Sequence, residues 1–314
     1  MTDYSALYLE HGDFLRGYCY RLTGSVADAH DLAQETFVRA LESPPRDTAS
    51  AWRPWLVRVA TNLLRDRRRR DRREYVGSWL PAPLDTTAEG WWRGGLDGDA
   101  EGRYQAAESV TFAFLLALET LTPIQRAVLL LRDVYDYSTR ECAEALELSE
   151  PNVKTTLHRA RRALAAYDHE RLPPAARVKE ETAGALARLV ACFSSRDAAA
   201  MEALLARDVE AWSDGGGRFY AAQKPVRGRA KVAIFFANIA REGGGVPVRF
   251  EARELNGLPG VLIVRGGVPD RFAPRWAFAV EIDAEGLVRR TYSVLNPDKL
   301  GGVSFPADPA GVPE

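Results

Sequence analysis

Residues Ser138–Leu164 read S-T-R-E-C-A-E-A-L-E-L-S-E-P-N-V-K-T-T-L-H-R-A-R-R-A-L. Ser138 followed by Glu141 is a capping box and predicts a helix start. Cys142, Ala145 and Leu146 give that helix a small apolar face. Glu147–Leu148–Ser149 interrupts it, and Ser149 can cap a second helix with Pro151 in its first turn. In the second helix Val153, Leu157, Ala160 and Leu164 recur at helical spacing and predict a buried side. The opposite face carries Lys154, Thr155, His158, Arg159, Arg161 and Arg162, with no acid after Glu150. A short helix, a tight turn and a basic second helix form a helix-turn-helix whose second helix would enter the major groove. A helical hairpin with a merely solvated basic face is the alternative. Glu147 stands where glycine would more easily turn left-handed.

Working outward, 314 residues predict two or three domains. The 46% hydrophobic and 27% charged residues are those of a globular protein. The formal net charge of −1 averages over the whole chain, so local clusters decide the question of nucleic acid. Three scattered cysteines, Cys19, Cys142 and Cys192, predict buried free thiols in a reducing compartment, with no zinc spacing. The start T-D-Y-S-A-L-Y shows no apolar leader and no run reaches membrane length, so the expectation is a cytoplasmic protein with no membrane association. No cofactor or metal is expected.

Upstream, Leu7, Phe14, Leu15, Tyr18 and Leu22 predict a helix ending near Gly24, and Ser25 caps a second one running to Leu41. Its polar side, Asp28, Asp31, Gln34 and Glu35, is either solvated surface or a docking face for a basic partner helix. Ser43–Asp47 must be a loop. Trp52, Trp55, Leu56, Val59, Ala60, Leu63 and Leu64 then stripe a third helix. It runs into seven arginines and two aspartates from Arg65 to Arg73. That end is either a disordered basic tail or a surface for phosphates and an unstacked base. Residues 77–102 mix Pro, Gly, Asp and Trp without period and read as a linker, part of which should dock because bare tryptophans seek a groove. Glu108–Leu121 predicts another helix. Thr122-Pro123-Ile124-Gln125 is a second capping box, opening a helix to Val134.

After Leu172-Pro173-Pro174 the grammar changes. Val178–Phe193, Asp197–Leu205 and Arg229–Ala240 predict helices. Val209–Ser213, Val246–Leu255, Leu258–Val264, Arg275–Ile282 and Leu287–Leu295 predict strands, with Asn256-Gly257 a hairpin turn. This order describes an α+β cone around an apolar pocket.

Together these motifs resemble the extracytoplasmic-function sigma factors of bacterial RNA polymerase. D-A-H-D-L-A-Q-E-T-F-V-R-A is similar to the polymerase-binding helix of sigma region two, W-L-V-R-V-A-T-N-L-L-R-D to its promoter-melting helix, and the opening stretch to sigma region four. W-L-P-A-P at Trp79–Pro83, D-G-G-G at Asp214–Gly217 and N-P-D-K-L at Asn296–Leu300 resemble signatures of the sigma factor J type, which carries a C-terminal SnoaL-like (NTF2-fold) extension. Ala82 departs from that subgroup's usual acid. The implied fold is multidomain: two all-α sigma modules followed by an α+β cone. The expected divisions are region two at 1–75, a linker at 76–105, region four at 106–171, the SnoaL-like domain at 177–303 and a tail at 304–314.

The resemblance implies a monomeric, non-enzymatic subunit. It would bind core RNA polymerase, through the beta-prime clamp helices and the beta flap, and promoter DNA. Asp28, Asp31, Gln34, Glu35 and Arg39 would meet polymerase. Asn62 would read a flipped minus-ten base, walled by the loop Ser43–Ser50, while Arg58, Arg65, Arg67 and Arg68 hold the opened strand. Asn152, Lys154, Thr155, His158 and Arg159 would meet the minus-thirty-five duplex, and Arg161 and Arg162 its phosphates. Trp79, Leu80 and Pro81 would lie near Asp214, Gly215, Gly216 and Gly217 and near Asn296, Pro297, Asp298, Lys299 and Leu300. That interface would regulate the chain in cis, without a separate anti-sigma protein. The alternative is a helix-turn-helix regulator whose C-terminal domain senses a small molecule or is an enzyme, with Trp212, Asp214, Trp276, Glu281 and Tyr292 lining its pocket. That domain contains no histidine and no clear acid/base pair.

Overall fold

The computed structural model describes residues 4–45, 52–70, 75–88, 90–96, 104–172, 176–195, 197–242 and 248–307, residues 4 and 67–70 by backbone alone. They form two compact units. One takes residues up to 73 and 88–171, and the other 74–87 and the chain from 172 onward. The expected linker is therefore divided between the units in its middle.

The first unit is helical: α1 (Tyr4–Thr23), α2 (Val26–Glu42), α3 (Trp52–Arg70), α4 (Phe112–Leu118), α5 (Pro123–Asp133), α6 (Thr139–Leu146), α7 (Glu150–Ala163) and α8 (Ala165–Glu170). Local chemistry sets most of the ends. Ser25 accepts from the Asp28 amide, and Thr122 and Ser138 both close reciprocal capping boxes. The single helix expected over Glu108–Leu121 is interrupted. Thr111 takes an extended backbone and caps Phe114, leaving a 3-10 turn over Glu108–Val110 before α4. Leu157, expected in the core, is half-buried.

Two arginines tie this unit together. Arg21 is fully buried and donates to the Gly17 and Trp92 carbonyls (3.1 and 2.8 Å), the Ala106 carbonyl (3.3 Å) and Ser109 Oγ (2.9 Å). Arg126, equally buried, donates to the Leu22 and Leu118 carbonyls and pairs with Glu119 at 2.8 Å. Each guanidinium spans carbonyls from distant helices, and losing such a buried charged hub costs several kcal/mol, about 3–5 by general experience. The second half of the linker docks here. Trp91–Arg93 forms a 3-10 turn against α1, with Trp92 buried. Gly94 lies so close to α1 that a Cβ would stand 2.3 Å from the Asp13 carbonyl carbon.

The second unit contains α9 (Ala176–Ser195), α10 (Ala198–Ala203), β1 (Leu205–Asp214), β2 (Val226–Arg227), α11 (Arg229–Glu242), β3 (Val248–Leu255), β4 (Leu258–Arg265), β5 (Arg275–Ile282) and β6 (Val288–Val294). One sheet runs β2-β1-β6-β5-β4-β3, with β1 and β6 parallel and every other pair antiparallel. The β3–β4 hairpin turns at Asn256-Gly257, both at positive φ. The helix expected over Asp197–Leu205 is shorter, and β1 begins earlier than Val209, because buried Leu205 already pairs with Val288. Leu186, Leu189 and Phe236 from α9 and α11 pack on Val209, Val261, Phe278 and Val280 of the sheet.

Candidate functional site

On α2, Asp28, Asp31, Gln34 and Arg39 are exposed and Glu35 is half-buried, opposite the buried row Ala29, Leu32, Ala33, Thr36 and Phe37. Glu35 and Arg39 pair at 3.5 Å, one turn apart. The result is a polar acidic stripe along the helix, bordered by two large exposed apolar side chains, Val38 and Leu41.

The third helix presents Asn62 and Arg65 to solvent, while Thr61 is held beneath by Tyr18 Oη at 2.9 Å and by the Val57 carbonyl. An exposed amide offers donor and acceptor together to a base edge. Arg67 and Arg68 lie outside the residues whose side chains are described, as do residues 46–50 of the expected pocket loop. Arg58 reaches the helix-turn-helix instead of solvent, its Nη1 2.6 Å from Glu147 Oε1. Glu147 itself turns left-handed (φ 53°, ψ 44°), so the strain expected for a residue with a Cβ is present, and its carboxylate is aimed at α3.

Along α7, Asn152, Lys154, Thr155, His158, Arg159 and Arg162 are exposed on one face, and Val153 and Ala160 are buried on the other. Arg161 departs from the phosphate role expected of it. Its fork engages the carboxylate of Asp133, 1% exposed, at 3.0 and 2.5 Å, because that buried acid needs a counter-charge. Cys142 lies under the turn, its thiol pushed up to about 12 by burial, which marks it as packing rather than chemistry.

Residues 75–86 lie along the second unit, where D-G-G-G and N-P-D-K-L form a socket for W-L-P-A-P. The Asp214 carboxylate, wholly buried, accepts from Tyr75 Oη (2.6 Å), the Leu80 amide (2.9 Å), the Gly216 amide (3.1 Å) and Lys299 Nζ (2.7 Å). Lys299 also donates to the Leu80 carbonyl at 2.6 Å and lies 4.6 and 4.5 Å from the ring centres of Tyr75 and Trp79. Burial, then the bond to Asp214, pushes the Tyr75 phenol well above its usual pKa, so it stays a donor. Gly216 (φ 58°) has no room for a Cβ, which would stand 2.4 Å from Asn296 Cγ. Asn296 caps the following turn through the Asp298 amide and donates to Tyr75 Oη at 3.0 Å. Further along, Leu84 exchanges backbone and side-chain bonds with Asn256, and Thr86 donates its amide to the Glu254 carbonyl at 2.8 Å. Asp85 forms an antiparallel bridge with Leu255. Leu80, Ala82 and Leu84 are buried along this path.

The residues weighed for catalysis do not converge. Asp214 belongs to the socket, Glu281 pairs with Arg290 at 3.5 Å, and of the five only Trp276 lines the apolar cavity of the domain. Among the described residues no His, Cys, Asp and Glu cluster could hold a metal, and no helix is long and apolar enough to cross a membrane.

A sigma-70 region 2 model matches residues 7–74, and a sigma-70 region 4 model matches residues 111–164. These helices therefore define a promoter-recognition factor of the sigma-70 class. The ECF RNA polymerase sigma factor SigJ of Mycobacterium tuberculosis is 34% identical over 297 residues, which cover 92% of this chain and 90% of that one. SigG of the same organism is 36% identical over 223 residues, 62% of this chain and 57% of its own. The crystal structure of M. tuberculosis SigJ matches with a TM-score of 0.70 at 28% identity, covering 96% of this chain and 98% of that one. The chain belongs to the ECF RNA polymerase sigma factors, with helical regions two and four followed by an α+β domain consistent with a SnoaL-like extension. Its family serves transcription initiation and is not one of enzymes.

Proposed function

We propose that the chain reads two promoter elements when held by core RNA polymerase, and that its C-terminal domain limits this reading by holding the linker between them. In this reading the acidic stripe of α2 docks on the polymerase clamp helices. Asn62 takes a flipped minus-ten base, with Arg65, Arg67 and Arg68 on the strand backbone. Asn152, Lys154, Thr155, His158 and Arg159 meet the minus-thirty-five duplex and Arg162 a phosphate.

One observation carries the regulatory half: residues 75–86, covalently between the two promoter modules, are bound into the C-terminal domain through a buried ion pair. A second supports it. Elements numbered 25 base pairs apart are separated by about 85 Å of duplex at about 3.4 Å per pair. Arg58 of the melting helix and Glu147 of the helix-turn-helix, in contrast, touch at 2.6 Å. The two modules must part before both can read DNA, and a linker held by another domain opposes that. The regulator is thus in the same chain, and no separate anti-sigma protein is required.

The test is promoter-dependent run-off transcription with core polymerase, comparing the full chain with its Lys299→Met variant. Releasing the linker should raise the transcript yield at equal polymerase binding. Equal or lower yield from a folded, polymerase-binding variant would remove the regulatory role, and absence of polymerase binding by either protein would remove the promoter-reading role.

A further inference from the structure

A half-open cavity of about 380 Å³ lies between the sheet of the α+β domain and helices α9 and α11. Its walls are aromatic and aliphatic: Phe193, Phe236, Phe272, Trp276, Phe278 and Ile263. Into this lining the last residue of β4 brings a guanidinium. Arg265 is 8% exposed, lies 4.6 Å from the ring centre of Trp276 and 5.8 Å from that of Phe272, and has a buried Nε with no acceptor.

Among the described residues no carboxylate pairs with the Arg265 side chain, and no side-chain hydrogen bond is made by it; its backbone pairs with Val248 in the sheet and donates to the Pro274 carbonyl at 2.7 Å. Glu242, two residues beyond the cavity-lining Ala240, pairs with Arg271 at 3.4 Å. The two most buried arginines differ in having oxygen partners for the guanidinium: Arg21 bonds carbonyls and the Ser109 hydroxyl, and Arg126 bonds the Leu22 and Leu118 carbonyls and pairs with Glu119. A buried guanidinium facing only rings is costly unless an anion completes it. Stacking on tryptophan supports the cation without replacing the hydrogen bonds that its planar fork makes to an oxyanion. Burial acts on this group unopposed and lowers its pKa, yet an arginine keeps its charge at neutral pH.

We propose that this cavity binds a small amphipathic carboxylate, its apolar body among Phe193, Phe236 and Phe278 and its single anionic head on Arg265. The volume suits a body of one or two fused rings, at the small end of ligand pockets. Uncharged bodies would fit the walls and leave the guanidinium unpaired. Cations would be repelled by it. Dianions would carry a second charge into an apolar lining. The socket side chains Tyr75, Asp214, Asn296 and Lys299 do not line the cavity, so its occupancy can be tested whether or not linker capture governs transcription.

The experiment uses the full-length chain and two fluorescent probes of nearly the same body, anilinonaphthalene sulfonate and neutral N-phenylnaphthylamine. They are competed with 2-naphthoate or with 2-naphthylmethanol. Saturable sulfonate binding should be displaced by naphthoate at concentrations at least about tenfold below those needed for the alcohol, the usual advantage of a charge-assisted pair. Arg265→Met should abolish that preference while keeping neutral-probe affinity, and Arg265→Lys should retain part of it. If Arg265→Met proves unstable by its melting temperature, the wild-type preference and Arg265→Lys decide. No saturable probe binding, equal potency of acid and alcohol on the wild type, or a preference surviving in a folded Arg265→Met would each overturn the proposal.

Discussion

Lys299→Met isolates the linker socket because it removes one charge and leaves every hydrogen-bond acceptor in place. In the native chain the Asp214 carboxylate is fully buried with Lys299 at 2.7 Å, and three further donors, Tyr75 Oη and the Leu80 and Gly216 amides, complete it. Removing one partner of a buried pair costs about 3–5 kcal/mol, because the remaining charge stays desolvated. The three surviving donors place this site at the low end, about 3 kcal/mol. The chain can relieve that cost by letting residues 75–86 go, which readmits water to Asp214. Hydrogen exchange then gives the readout. The amides of Leu80, Leu84 and Thr86 bond to Asp214, Asn256 and Glu254 along the whole captured segment. If the segment releases as one body, all three should exchange about a hundredfold faster in Lys299→Met, since about 1.4 kcal/mol is tenfold. Asp214→Asn combined with Lys299→Met should recover much of the protection, because no buried charge is then left alone. Rates unchanged within about threefold would refute the reasoning about the pair. Acceleration of Leu80 alone would refute concerted release.

Three other perturbations test the promoter modules. Asn62→Ala alters an exposed side chain and should leave melting within about 0.5 kcal/mol of wild type, while run-off yield falls about tenfold through loss of base contacts. Glu147→Gly relieves a left-handed residue, worth about 1–2 kcal/mol, and gives up an ion pair on a mostly exposed carboxylate, worth about 0–1. Thermal unfolding should therefore show equal or higher stability, and a clear loss would mean that the Arg58 contact outweighs the strain. Gly94→Ala places a Cβ against the backbone of α1, so it should destabilise by about 1–3 kcal/mol and red-shift tryptophan emission as the Trp91–Trp92 turn lifts off.

What the sequence made legible follows the range of the interactions responsible. The capping boxes at Thr122 and Ser138 act within four residues, and the helices they open appear where the spacing predicts them. The Asn256-Gly257 turn and the alternating strands around it are local in the same sense. The break at Thr111 was hidden because threonine fits a helix interior in pattern, and only its bonds to Glu108 and Phe114 give it the capping role. Arg21, Arg126 and Arg161 were illegible for a different reason. Whether an arginine is surface, hub or counter-ion depends on acceptors 28 to 104 residues away, such as Asp133 for Arg161 and the Leu22 carbonyl for Arg126. The same limit applied to Arg265, which sits in a strand reading as plain hydrophobic sequence.

In the function proposed above, the chain reads promoters only in company with polymerase. The most direct measurement is binding and run-off transcription on a promoter duplex, with and without core RNA polymerase, using the full-length chain. The chain alone should bind duplex weakly, and core polymerase should bring defined transcripts that are lost in Asn62→Ala. Tight duplex binding by the isolated chain, with no promoter-dependent transcript in the presence of core polymerase, would contradict that function.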